Sequence, residues 1–333
     1  MHTVRAHISR RCRPFAASAV LVPALLLALA AHTPAASGGK AAGAAFTQHR
    51  VVAHRSGVRP GYGWPVKPFN RQHPVRGYLN DPRPGDDGAK AFHFGIDISA
   101  PDGTAVYAVA AGKVFSTRHN AIAVKGATRT FGYWHIVPVV RNHQQVHLHE
   151  LLGHVLQGER HVHFAERRGG EYLNPLRPGG LGPYADHSPP TVASVEFLRG
   201  GQEQDATSLT GRVNVVVEAF DTTPIPVPSP WSNLPVTPAR IRWSVAHGSR
   251  GVVAPRTAVD FSRTMLPARL YDSVYAPGTQ KNSPGAPGHY RFYLAHGFDA
   301  SHLPAGVCHL RIKAVDTRGN LVVAEVEIAR AAN

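Results

Sequence analysis

Apolar positions along the chain alternate in short runs and do not recur every three or four residues. Between Trp64 and Leu176 such runs cover 92–98, 106–114, 131–140, 146–155 and 161–164. After residue 190 they restart at 191–198, 211–220, 239–246, 258–261, 290–295, 306–316 and 321–329. A period of two places successive side chains on opposite faces of a strand. Val213, Val215, Val217 and Ala219 thus share one face, and Cys308, Leu310, Ile312 and Ala314 share another. The pattern predicts an all-β chain. Between the two sets, the Gly/Pro-rich residues 177–190 ("RPGGLGPYADHSPP") read as a linker. The seven short strands of residues 191–333 suggest an immunoglobulin-like β-sandwich, with Cys308 as a small buried hydrophobe. Trp231 and Trp243 are expected in its core, and Pro224–Pro230 as a long inter-strand loop.

Composition supports this reading, since 32 glycines and 28 prolines among 333 residues disfavour long helices. Arg5, Arg10, Arg11 and Arg13, the apolar run from Phe15 to Ala31 and the small residues after it read as a signal peptide over 1–36. This predicts export, to a periplasm or to the extracellular and cell-wall space. The shortness of the run and Pro23 weigh against the rival reading of a retained membrane anchor. Residues 37–58 are small, polar and basic without a hydrophobic period and predict a disordered spacer. Cys12 precedes the apolar run, so Cys308 is left alone and no internal disulfide is expected. Loss of residues 1–36, which hold four arginines and no acid, lowers the net charge from +15 to +11. Such a chain should adsorb to anionic wall polymers or lipid headgroups, although basic composition also serves solubility alone.

Chemistry concentrates in three stretches. "FHFGIDIS", residues 92–99, read as one strand, puts Phe92, Phe94, Ile96 and Ile98 on an apolar face and His93, Gly95, Asp97 and Ser99 on the other. A flat strand would separate His93 and Asp97 by ~13 Å, whereas Gly95 permits a bend that brings them to one ion. In "RHVHFAE", residues 160–166, His161 and His163 share a face while Val162 and Phe164 point to the core. In "FGYWHIV", residues 131–137, His135 lies among apolar neighbours, where a satisfied core histidine is the simpler reading. A second pair at strand spacing, His147 and His149 in "VHLHE", competes with His161 and His163.

Taken in order, His-x-x-x-Asp with "APDGTAVYAVAAGKV", then Tyr-x-His, then His-x-His-Phe with Asn-Pro-Leu, the chain resembles the lysostaphin-type (LytM-like) zinc endopeptidases of bacterial cell walls. The resemblance covers roughly Trp64 to Leu176, within a domain placed at 59–176, and does not reach the C-terminal residues. It favours His163 over the His147/His149 pair, because the phenylalanine and Asn-Pro-Leu follow His163. It implies an antiparallel sheet beneath a narrow groove and one zinc ion per chain, with His93, Asp97 and His163 as ligands. His161 and His135 become the catalytic histidines, His161 the candidate base, with exchange of the two roles left open; Tyr133 becomes a groove residue. Two imidazoles and a carboxylate leave a fourth position for water, the arrangement of a catalytic site. The implied partner is peptidoglycan or another wall polymer and not nucleic acid; the oligomeric state is not indicated.

Two departures accompany the resemblance: "LLGHVLQGE" runs almost directly into His-x-His without a Gly/Thr-rich loop, and the following glutamate, Glu166, is displaced one place by Ala165. Two other readings stand beside a wall peptidase. One is an inactive regulator or scaffold of wall enzymes, which typically lacks one of the five residues found here. The other is an endopeptidase acting on extracellular protein.

Overall fold

The computed structural model describes residues 46–53, 60–84, 89–116 and 120–332. The proposed signal peptide, and the spacer apart from 46–53, lie outside the described residues. Among the described residues every strand ladder is antiparallel, and two hydrophobic cores organise them.

The first core lies against an eight-stranded sheet. Its main path runs Gln145–Val146, Gly112–Ser116, Ala121–Lys125, Thr130–Trp134, His161–Arg168, Ile96–Ser99 and Val75–Gly77, and Glu171–Leu173 pairs with the end of His161–Arg168. Ile96, Ile98, Ile122, Phe131, Tyr133, Val162 and Phe164 are buried on one face, as strand alternation requires. Their removal from water drives the assembly of this sheet at roughly 1.5–3 kcal/mol per large side chain. A smaller sheet of Ile136–Pro138, Leu151–Val155 and Ala105–Tyr107 closes the other side. Glu166 is fully buried in this half. Its carboxylate accepts two hydrogen bonds from the Arg177 guanidinium, at 2.6 and 2.8 Å, and one from the Tyr62 hydroxyl at 2.6 Å, with Arg129 3.2 Å away. The displaced glutamate is therefore a structural clamp.

The second core is enclosed by two sheets. One has the order Phe46–Val51, Leu321–Ile328, Cys308–Val315, Arg240–His247 and Arg250–Asp260; the other runs Gln202–Glu203, Thr191–Arg199, Arg212–Phe220 and Arg291–Asp299. Cys308 is buried and unpaired between them, with Leu310, Ile312 and Ala314 on its face. Trp243 is in this core, but Trp231 is not: it lies in the loop after Phe220 with the Arg76 guanidinium 4.3 Å above its ring.

Two expectations are corrected. Residues 46–51, expected as part of a disordered spacer, add an outer strand to Leu321–Ile328 in register from Phe46↔Val326 to Val51↔Leu321. Main-chain bonding holds this strand and five of its six side chains are exposed, so no hydrophobic period announces it. The stretch 92–99 is likewise two strands, because pairing stops after Phe92 and resumes at Ile96 with a bend at Gly95. Phe92 belongs to the second core, against Phe261, Tyr271 and Tyr275, whereas Ile96 and Ile98 belong to the first.

Residues 78–84 and 89–92 thus tie the two cores together. Fully buried Asn80 donates from Nδ2 to the Thr264 carbonyl and accepts at Oδ1 from the Leu266 amide, and its carbonyl accepts from the Tyr275 hydroxyl. Next to it, Asp81 accepts from the Thr237 hydroxyl at 2.6 Å. All described residues belong to one compact unit.

Candidate metal centre

Neighbouring strands position the site. His163 on His161–Arg168 stands directly opposite Asp97 on Ile96–Ser99, and opposite Trp134 on its other flank. His161, two residues earlier, shares its face. Gly95 lets His93 reach the same point: a Cβ there would lie 2.4 Å from the Phe164 carbonyl oxygen and 2.8 Å from His163 Nε2. The bend expected at this glycine is present, and close approach of the neighbouring strand is what demands it. Gly77 is under the same constraint, since its Cβ would meet Asp97 Oδ2 at 2.6 Å.

The three donor atoms form a small triangle. His93 Nε2 lies 2.8 Å from His163 Nδ1 and 3.2 Å from Asp97 Oδ1, and His163 Nδ1 lies 3.1 Å from the same Oδ1. Tetrahedral ligands at about 2.0–2.1 Å from a metal would be ~3.3 Å apart, so the spacing suits one ion. Tautomer chemistry agrees. His93 Nδ1 faces the Tyr78 carbonyl oxygen at 2.8 Å, which can only accept; Nδ1 carries the proton, and Nε2 points its lone pair into the triangle. His163 Nε2 is buried without a partner, with the rings of Phe94 and Trp134 packed on the imidazole, so the ring's polar contacts lie on its Nδ1 side. The residues present fit a divalent metal with nitrogen and oxygen ligands.

Burial decides the charge states. Desolvation drives both His161 and His163 down to about 4, so each imidazole is neutral at pH 7. Burial opposes the charge of Asp97, but His93, His163 and Arg83 around it hold its carboxyl well below the ordinary range. Arg83 donates to Asp97 Oδ2 at 3.0 Å, leaving Oδ1 to face the histidines.

Beside the triangle, His161 Nε2 lies 3.7 Å from Asp97 Oδ1. Its Nδ1 is 2.7 Å from the Glu159 carbonyl oxygen, and Arg76 donates to that carbonyl at 3.2 Å while lying 2.7 Å from the same Nδ1. Two partners compete for Nδ1: the Glu159 carbonyl accepts from the Nδ1–H tautomer, which leaves the Nε2 lone pair facing the metal side, whereas the Arg76 guanidinium can only donate and suits the Nε2–H tautomer. His135 completes the group. Its ring centroid is 4.4 Å from that of His161, and its Nδ1 is 3.3 Å from a Glu159 carboxylate oxygen. It is partly exposed and holds φ at 61°, a backbone strain common at functional sites. The core-histidine reading of His135 therefore fails.

The structure brings His93, Asp97, His161, His163 and His135 together and leaves Tyr133 out. Tyr133 pairs with Phe164 in register, is fully buried on the core face, and accepts the Val109 amide at its hydroxyl. It is no groove residue. Trp134, on the opposite face, touches Phe94 and His163 in its place, and strand parity with the core residue Phe131 could have indicated as much. Arg76, Arg83, Glu159 and Tyr78 were also missed, because none lies in a recognisable spacing. His147 and His149 are exposed in a turn, and His149 stacks on Phe69 at 3.8 Å. Next to Asp97, a cavity of about 190 Å³ is lined by Arg76, Arg83, Trp231, Lys281, Asn282 and Tyr290, so residues of the C-terminal part form one wall.

Residues 91–175 match peptidase family M23, and the chain carries a domain of that family. No curated protein sequence matches the chain. Among solved structures it is similar to a zinc-containing peptidase from Vibrio cholerae, with 22% identity over 33% of this chain and 37% of that one and a TM-score of 0.29. It is also similar to a mutant catalytic domain of the prophage-encoded M23 protein EnpA from Enterococcus faecalis, with 26% identity over 37% of this chain and 98% of that one and a TM-score of 0.27. Lysostaphin is a third, with 12% identity over 77% and 93% of the two chains and a TM-score of 0.27. The chain spans about a third of the length of the Vibrio cholerae peptidase and of Helicobacter pylori Csd3.

Proposed function

We propose that this protein is an exported zinc-dependent endopeptidase that hydrolyses peptide bonds in the stems or cross-bridges of peptidoglycan. The observation that carries the proposal is the convergence of His93 Nε2, His163 Nδ1 and Asp97 Oδ1 within 3.2 Å of one another, beside two further histidines and inside the segment matching family M23.

His93, Asp97 and His163 would hold the zinc, which when bound supplies Lewis acidity to a water and to the scissile carbonyl. Tyr78 and Arg83 orient the ligands, the first fixing the His93 tautomer and the second occupying the spare oxygen of Asp97. His161 is neutral, and in the tautomer that donates Nδ1–H to the Glu159 carbonyl its Nε2 takes the proton of the attacking water. Glu159 and Arg76 fix the ring from behind. His135, partly open to solvent and beside His161, is placed to hydrogen-bond the attacking water or the developing oxyanion. Trp134 and Phe94 exclude water from the His163 side of the cleft. The basic wall of Arg76, Arg83 and Lys281 suits a substrate bearing carboxylates, as wall peptides do.

The test is digestion of purified peptidoglycan by the purified chain, with new peptide termini identified by mass spectrometry. Fragments should appear with zinc, vanish after chelation and return on zinc addition. Intact peptidoglycan under all three conditions, with cleavage of a glycine-rich protein in their place, would move the substrate to extracellular protein. No cleavage of either would favour the regulator reading.

A further inference from the structure

A second cluster lies away from the histidines, at the end of residues 177–190 where they meet the C-terminal sheets. Asp186 comes from that segment, Asp221 follows the strand Arg212–Phe220, and Asp316 opens the turn between Cys308–Val315 and Leu321–Ile328. One carboxylate oxygen from each lies within 4.8 Å of the other two. The residues are only 3%, 1% and 5% exposed. Among the described residues none of the three makes an ion pair.

Their hydrogen bonds leave the cluster short of positive charge. Asp316 accepts the amides of Arg318, Gly319 and Asn320 at Oδ1 and the Asn320 side chain at Oδ2. Asp221 accepts the Thr222 amide. Asp186 accepts the Ser188 amide at Oδ1; its Oδ2 is buried without a hydrogen-bond partner, and the Tyr184 hydroxyl is the side-chain donor that acts on this carboxylate. Of the neighbours, Tyr78 and Tyr184 are neutral, and their hydroxyls bond one another at 2.7 Å. Arg318 is the nearby cation, but its Nε is spent on the Tyr184 carbonyl and its guanidinium lies over the Tyr184 ring. Arg177, Arg240 and Arg263 share a separate cavity with Asp316 and form no ion pair with it. Three buried carboxylates facing one another cannot all stay ionised without a cation between them. Burial, with repulsion from Asp316, pushes Asp186 up to about 7; burial and repulsion from the other two raise Asp221, and burial raises Asp316.

We propose that Asp186, Asp221 and Asp316 bind one calcium ion, separate from the histidine centre. All donors are hard oxygens, with no nitrogen or sulfur to favour zinc. Magnesium gives up its hydration water reluctantly and fits a site buried this deeply less well. The unpartnered Asp186 oxygen is the free ligand, and the backbone amides on Asp316 hold its carboxylate ready. The ion would fasten residues 177–190 to the C-terminal sheets. It would also steady Tyr184, whose hydroxyl meets Tyr78, the residue whose carbonyl orients His93.

The experiment uses the zinc-loaded full chain in calcium-free buffer at pH 7.5, titrated with calcium chloride and followed by calorimetry, native mass spectrometry and thermal unfolding. One calcium per chain should bind, with a dissociation constant of roughly 1 mM or tighter, and raise the unfolding midpoint by about 5 °C at saturation. Asp186→Asn, which keeps the Ser188 bond, should weaken binding at least tenfold, and Asp221→Asn should do the same. If either variant does not fold, the wild-type stoichiometry and midpoint shift still decide. Wild type that takes up no calcium at 10-fold above that constant, or calcium binding unchanged in both folded variants, would overturn the proposal.

Discussion

Gly95 shows how one missing side chain permits a site. Alanine there would push its methyl group against the Phe164 carbonyl and the His163 ring. Gly95→Ala should therefore weaken zinc binding at least tenfold and destabilise the chain by about 1–3 kcal/mol, read by competition with a chromophoric chelator and by urea unfolding. Unchanged zinc affinity would show that the strands yield easily. Tyr133→Phe probes the opposite assignment. It leaves the buried Val109 amide without an acceptor, so it should cost about 1–3 kcal/mol in urea unfolding while zinc content stays at the wild-type level. At this scale, His93, Asp97, His161, His163 and His135 were legible because the spacing of their motifs survives in a single sequence. Arg76, Arg83, Glu159 and Tyr78 were not, since each acts through a contact across more than ten residues of chain or through its backbone.

Strands were legible where one face is buried. The runs at 191–198, 211–220, 239–246 and 321–329 correspond to Thr191–Arg199, Arg212–Phe220, Arg240–His247 and Leu321–Ile328. Phe46–Val51 was illegible because an outer strand held by its backbone needs no alternation. The break inside 92–99 was hidden for a different reason: Phe92 and Ile96 have the same parity but serve different cores. The connection around Asn80 carries its own prediction. Asn80→Ala strands the Thr264 carbonyl and the Leu266 amide in a buried junction and should cost about 2–4 kcal/mol by urea unfolding. A loss below about 0.5 kcal/mol would mean that this junction contributes little.

For the whole molecule, the aspartate cluster gives a pH dependence of defined sign. Asp186 titrates near 7 when folded and near 3.9 when unfolded, so between these values the folded chain binds more protons and its stability falls as pH rises. Stability from this group is complete below about pH 4 and lost through pH 7. Asp186→Asn removes that loss. In calcium-free buffer the melting point of the variant relative to wild type should rise by several degrees between pH 5 and pH 8, and saturating calcium should reverse the order at pH 8. A constant difference from pH 5 to pH 8 would contradict the raised carboxyl.

The central claim rests on one metal held by His93, Asp97 and His163 with His161 beside it as base. Its most direct test measures zinc per chain and peptidoglycan cleavage together, in wild type, His163→Ala and His161→Ala. The account predicts one zinc and active cleavage in wild type, zinc and activity both lost in His163→Ala, and zinc retained with activity reduced at least a hundredfold in His161→Ala. A wild-type chain that binds no zinc, or a His163→Ala chain that keeps both zinc and activity, would contradict it.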